Sequence, residues 1–252
     1  MGVSGRIRGT GIDRVGYKRL TNGLWLGHAC VIVGGGTSVT IQCIDTINRL
    51  IADDHIKCIS INNSYNHVRS HANVSLDGWW LGKTAYTQSF IEYTGYKVQV
   101  DNDILGHSGL NSVPPDIINL PVYEQPNQFS PDILCGLGHG GNSGFPALNL
   151  ALCLGCTPII LAGYDMCCTH DSSGTCIAHY YEDGAARVKK YITTHADQWI
   201  DIYQQAIQKL PTIWYNTDIW NMSDISRLDC FPKCTIDDLP DILEGIRSCG
   251  RQ

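Results

Sequence analysis

The chain has 252 residues, 43% of them hydrophobic, enough to bury a substantial core in one large domain. A net charge of -6 and a pI near 5.8 make nucleic acid an unlikely partner, because phosphate neutralisation needs a basic surface field. No apolar run reaches the roughly 18–20 residues of a membrane span and no hydrophobic signal core opens the chain, so the expectation is a cytoplasmic protein without a membrane span.

Residues 1–24 read as a solvated N-terminal arm. Its basic residues Arg6, Arg8, Arg14, Lys18 and Arg19 lack interleaved aromatics. Residues 25–252 read as a single α/β nucleotide-binding domain. The first buried strand is the apolar run Ala29-Cys30-Val31-Ile32-Val33, closed by Gly34-Gly35-Gly36-Thr37-Ser38. Three glycines allow close backbone approach to a bound group, and Thr37 and Ser38 offer hydroxyls and a helix cap. An ordinary tight turn and a ligand-binding turn fit this stretch equally well. Ile41, Ile44, Ile47, Leu50 and Ile51 then recur at helical spacing.

Lys57-Cys58-Ile59-Ser60-Ile61 reads as the second strand and ends on Asn62 and Asn63. Ligands of open parallel sheets bind beyond the carboxyl ends of strands, where two amides can read a base or ribose; an Asx turn is the competing reading. A short strand through Val74 follows, then Trp79 and Trp80, assigned to core packing, and a strand Tyr96-Lys97-Val98-Gln99-Val100. The glycine- and proline-rich residues 102–131 show little periodicity and are expected to form an irregular, lid-like loop.

The most informative stretch runs from the turn Gly141-Asn142-Ser143-Gly144 through the apolar helix pattern of residues 145–154 to the strand Ile159-Ile160-Leu161-Ala162 and the carboxylate Asp165. Glycine turn, helix start and strand-end carboxylate together form the layout of a nucleotide or phosphate site. Cysteines and histidines between Cys167 and His179 raise zinc, but their spacing matches no standard finger, and no metal site is assigned. Cys153 and Cys156 form a CxxC that straddles a helix end, which speaks against a thioredoxin-like role. The twelve cysteines are scattered, and Cys30, Cys43, Cys58 and Cys153 read as small buried hydrophobes. An amphipathic helix is predicted from Thr194 to Leu210, a last strand over residues 212–216, and a terminal helix over residues 236–246 interrupted near Pro240. The expected fold is an α/β Rossmann-like sandwich, a mostly parallel sheet flanked by helices.

Gly141-Asn142-Ser143-Gly144, continuing through Ala147-Leu148-Asn149-Leu150-Ala151 to Gly163-Tyr164-Asp165-Met166, resembles a family of bacterial and phage proteins. These are described as motility-accessory glycosyltransferase-like or hydroxymethylpterin diphosphokinase-like, and are distantly similar to the sialyltransferases of glycosyltransferase family 42. Residues 33–38, 60–65 and 216–232 match in the same order. The resemblance implies group transfer from a nucleotide-activated sugar to an acceptor hydroxyl, with no cofactor required. Gly34, Gly35, Gly36, Thr37, Ser38, Asn62 and Asn63 would line the nucleotide, and Gly141, Asn142, Ser143 and Gly144 its phosphate or sugar. His179 would be the general base and Tyr180 a stabiliser of the leaving phosphate, with Asp165 binding a donor hydroxyl. Under the diphosphokinase alternative Mg²⁺ would be bound and Asp165 would be its ligand; a non-catalytic nucleotide-binding phage protein, acting in the bacterial host, is the third reading. The resemblance also raises a homo-oligomer, because tetramers occur among the sialyltransferases.

Overall fold

A computed structural model describes residues 19–181 and 186–249. Strand β1 (Cys30–Val33) is buried at every position, as a central strand of a parallel sheet must be. The turn after it leads into α1 (Ile41–Ala52), which is capped by Thr40, whose hydroxyl accepts the Cys43 N–H at 3.2 Å. The cap is therefore Thr40, and the expected cap residues Thr37 and Ser38 are engaged elsewhere. Strands β2 (Lys57–Ile61), β3 (Ala72–Ser75) and β4 (Tyr96–Val100) follow, with helices α2 (Gly78–Thr84) and α3 (Gln88–Glu92) between the last two.

The stretch expected to be irregular contains α4 (Ile104–Ser108) and β5 (Ile117–Leu120). Its glycines and prolines delimit these elements rather than dissolve them. Gly109 ends α4 in the left-handed region at φ 68°. Pro114 and Pro115 precede β5, and Pro121 follows it. As an edge strand with only Ile117 fully buried, β5 carries no continuous apolar run to announce it.

Helix α5 (Gly144–Cys153) is buried along its whole length, and β6 (Ile159–Ala162) follows it. A short hairpin of β7 (Thr169–His170) and β8 (Cys176–Ile177) precedes the long α6 (Ala186–Gln208). The last strand is β9 (Ile219–Asn221), and not residues 212–216: Pro211 opens a single 3₁₀ turn at Thr212–Trp214 that buries Trp214. Pro240 does not interrupt α7 (Leu239–Cys249) but stands in its first turn, where the missing N–H has no partner to lose.

Seven strands form one sheet in the order β5-β4-β3-β2-β1-β6-β9, every neighbouring pair parallel. Its register places Cys30 between Lys57 and Ile159, and Ile219 beside Ile159. One face packs on α5 and α6 through Ile32, Phe145, Leu148 and Tyr203, and the other on α1 and α7 through Val31, Ile47 and Leu243. The fold is thus Rossmann-like α/β. Leu20 is buried, and Gly23 and Trp25 donate backbone N–H groups to the carbonyls of Cys153 and Leu154, each at 2.8 Å. Residues 20–25 are therefore strapped to the end of α5, while residues 1–18, with most of the basic cluster, lie outside the described residues. No described helix is long and apolar enough to cross a membrane.

Candidate functional site

The sheet's order reverses direction beside β1, which has β2 on one side and β6 on the other. Ligand crevices of open α/β sheets form at the carboxyl edge of such a point. Here the edge is built around the dipeptide Tyr164-Asp165, immediately after β6.

Asp165, 2% exposed, holds the first glycine turn. Its carboxylate accepts the Ser38 N–H at 2.9 Å, the Ser38 hydroxyl at 2.5 Å, the Thr37 hydroxyl at 3.4 Å and the Ser223 hydroxyl at 2.8 Å. The turn approaches so closely that a Cβ on Gly36 would lie 2.5 Å from the Asp165 carboxyl carbon. With both oxygens engaged, this carboxylate ties the turn after β1 to the chain after β6 and acts as a structural clamp. Tyr164 holds the second turn. Its hydroxyl donates to the Gly144 carbonyl at 2.9 Å from a fully buried position, and burial pushes its phenol well up.

The second turn has two residues in the left-handed region, Gly140 at φ 56° and Gly141 at φ 78°. Asn142 accepts the Phe145 N–H at 3.2 Å and the Tyr203 hydroxyl at 3.4 Å, while its buried Nδ2 has no partner among the described residues. The Ser143 hydroxyl does not cap α5; it accepts the Leu76 N–H at 3.0 Å, tying the turn to the end of β3. Asn149, buried inside α5, takes the N–H groups of Ser130 and Gly138, both at 2.8 Å, and so fixes the chain entering the turn.

Asn62 occupies the left-handed region at φ 49°; its carbonyl accepts from Asn73 Nδ2 at 2.9 Å, and its buried Oδ1 has no partner among the described residues. Asn63 accepts the Trp80 indole N–H at 2.7 Å. That bond anchors the buried Trp80, whereas Trp79 is half exposed with Lys83 Nζ 3.6 Å above its ring.

His179 reaches the same edge from the strand-like segment after β8. A Cβ on Gly35 would stand 2.4 Å from His179 Cδ2, so this glycine makes room for the imidazole. The Gly35 carbonyl accepts the Tyr180 N–H at 3.0 Å. The Tyr180 ring packs against the core on the α1 side, and burial raises its phenol. The following residue, Tyr181, takes the position at the cleft. It stacks on His179 at 5.2 Å and 10° and on His67 at 5.9 Å and 15°, giving a His67–Tyr181–His179 column of rings. Beside the column lies a cleft of about 260 Å³, lined by Asn63, Asn66, His67, Thr84, Thr87 and Tyr181 among others. Sequence reasoning gave no role to His67, Tyr181 or Asn149, although Asn149 lies within the motif that carries the resemblance and Tyr181 directly follows His179 and Tyr180.

Among the described residues no three His, Cys, Asp or Glu side chains converge as a metal site. In the Cys/His-rich loop, Asp171 accepts the N–H groups of Ser173 and Thr175 at 2.9 and 2.8 Å, which makes the hairpin tip an ordinary Asx turn.

Fold and edge define a Rossmann-like α/β protein. The chain is similar to the solved structure of the MAf glycosyltransferase from Magnetospirillum magneticum AMB-1, with a TM-score of 0.53 and 16% identity over 92% of this chain. It spans 39% of that chain's length. No family model and no curated protein matches the sequence.

Proposed function

We propose that this chain transfers a sugar from a nucleotide-activated donor to an acceptor hydroxyl. The observation that carries the reading is the pair Tyr164-Asp165, which holds two glycine turns at one sheet edge, with His179 packed on Gly35 of the first turn and stacked on Tyr181, which lines the cleft. In this reading the turn of Gly34 to Ser38, whose Gly34, Gly36 and Ser38 N–H groups are already bonded to Ala162, Gly163 and Asp165, meets the nucleoside through Gly35 and Thr37, with Asn62 and Asn63 beside it. Asn142 Nδ2 and the turn from Gly141 to Gly144, at the start of α5, face the phosphate, where backbone N–H groups and helix dipole favour negative charge.

His179 takes the proton of the acceptor hydroxyl as that oxygen bonds to the anomeric carbon. The bond from the anomeric carbon to the donor phosphate breaks, and its electron pair leaves with the nucleotide. The Tyr181 hydroxyl, at the cleft, donates to that leaving oxygen, the role that the family resemblance gave to Tyr180. Asp165 acts as a positioning residue: four hydrogen bonds already engage the carboxylate that a Mg²⁺-dependent diphosphokinase would use, which favours transfer over that alternative.

The test is a thermal-shift screen with cytidine, uridine, guanosine and adenosine nucleotides and their sugar derivatives. A selective ligand at a hundred times its Kd stabilises by about 2.7 kcal/mol, a shift of roughly 5–10 °C for a domain of this size. Donor hydrolysis should then vanish in His179→Ala while the nucleotide shift persists. Absence of a shift with every compound sinks the proposal, and a shift without turnover reduces the protein to a nucleotide-binding module.

A further inference from the structure

The cleft beside the ring column shares part of its wall with a second one. A larger cavity of about 770 Å³ follows the connection from β2 to β3, and Trp25, Tyr65, Arg69, Glu92, Tyr93 and Tyr96 are among its lining residues. Tyr65, Asn66 and His67 line both cavities, so the two lie on either side of a common wall that includes His67, one ring of the column.

The walls of the larger cavity are fixed before anything binds. Asn48 Nδ2 donates to the His67 carbonyl at 3.1 Å and Asn48 Oδ1 accepts the Arg69 N–H at 2.8 Å, which clamps the loop between them. The Tyr93 hydroxyl donates to the Ser70 carbonyl at 3.1 Å, and Gly95 leaves space for it, since a Cβ there would lie 2.2 Å from that hydroxyl oxygen. His71 Nδ1 accepts the Cys58 N–H at 3.1 Å, and the His71 ring meets the Trp25 ring edge-on at 5.9 Å. A preformed wall lowers the entropy lost on binding.

Its chemistry is selective. The part-exposed Tyr93 and Tyr96 rings give apolar faces, and the exposed Asn66 amide and Thr94 hydroxyl beside them match a ligand dense in hydroxyls. Arg69 and Glu92 oppose each other in sign, which suits neither a polyanion nor a polycation. The volume exceeds that of a single sugar ring and lies within the range of built ligand sites.

We infer that the larger cavity binds a neutral oligosaccharide. Its role as the acceptor, with one hydroxyl reaching past His67 to His179, rests on the transfer reading above; the binding itself does not.

The experiment uses the full chain with chitotetraose and maltotetraose as neutral probes and tetragalacturonate as the anionic one, read by tryptophan fluorescence and saturation-transfer NMR. Saturable binding of a neutral probe is expected, weakened about tenfold in Tyr96→Ala. Glu92→Gln, an exposed change that spares the core, should also weaken it and covers the case in which Tyr96→Ala misfolds. The inference is overturned if neither neutral probe binds, if only tetragalacturonate binds, or if Tyr96→Ala, shown folded, and Glu92→Gln both bind like the parent. Saccharide binding without any nucleotide shift would remove the transfer reading and leave this site standing; the reverse result would remove this site alone.

Discussion

Ser38 gives both its backbone N–H and its hydroxyl to the Asp165 carboxylate, at 2.9 and 2.5 Å, across a sequence separation of 127 residues. The pair fastens the turn after β1 to the turn after β6, and with Thr37 and Ser223 it leaves the carboxylate no spare acceptor direction. Asp165→Ala strands the Ser38 N–H in a buried site and should cost about 3 kcal/mol of stability, measured by urea denaturation. Asp165→Asn keeps one acceptor oxygen and should cost about half as much. If Asp165→Ala instead unfolds at the parent's midpoint, the clamp is not what holds the turn.

Gly35 carries the corresponding test for the ring column. Gly35→Ala places a methyl group 2.4 Å from His179 Cδ2 and 2.9 Å from the Tyr181 hydroxyl, so the column must shift. The expected stability loss is modest, roughly 1–3 kcal/mol. The near-ultraviolet circular dichroism of the stacked rings should change and any nucleotide-induced thermal shift should shrink. An unchanged spectrum would mean that His179 and Tyr181 do not rest on this turn.

These contacts mark where sequence reading reaches its limit. Strands β1 and β6 are legible as uninterrupted apolar runs, β2 and β4 as short β-branched stretches broken by Ser60 or by Lys97 and Gln99, and both glycine turns announce themselves by composition. The edge strand β5 is not legible, because a strand exposed on one side and framed by prolines looks like a loop. Ile213 and Trp214 mimic a strand, but Pro211 turns them into a single 3₁₀ turn and leaves the sheet position to Ile219–Asn221. The site was half legible. Its turns are local patterns, whereas Asp165 to Ser38 and His67 to Tyr181 are long-range pairings with no periodic signature. An aspartate at a strand end reads as chemistry until its four donors are seen.

The thiols divide by burial. Cys30, Cys58 and Cys153 are buried in the core and their thiols are pushed strongly up, while Cys43 and Cys234 are pushed up to about 11. Since the thiolate is the reactive form, these should resist maleimide at pH 7.5 until the chain is denatured. Cys135 is exposed and should label first, with Cys168 and Cys176 on the hairpin next. Mass mapping of a short labelling pulse checks the order; early modification of Cys58 or Cys153 would contradict the packing of β2 or α5.

His139 gives the fold a pH dependence with a definite sign. Partial desolvation of this surface imidazole lowers its pKa below the ordinary 6.5, and nearby Asp101 offsets this only in part. Its Nδ1 accepts the Gly141 N–H at 3.1 Å, a bond that exists only while that nitrogen is unprotonated. Because the folded-state value lies below the unfolded one, the unfolded chain binds more protons between the two. The stabilisation is therefore complete above the unfolded value near 6.5 and is lost as pH falls towards the folded one. Urea midpoints at pH 7.5 and 5.5 for the parent and for His139→Gln separate this contribution from that of the other histidines, which both proteins share. The parent should lose more stability on acidification than the variant. Equal losses would show that the second glycine turn does not depend on a neutral His139.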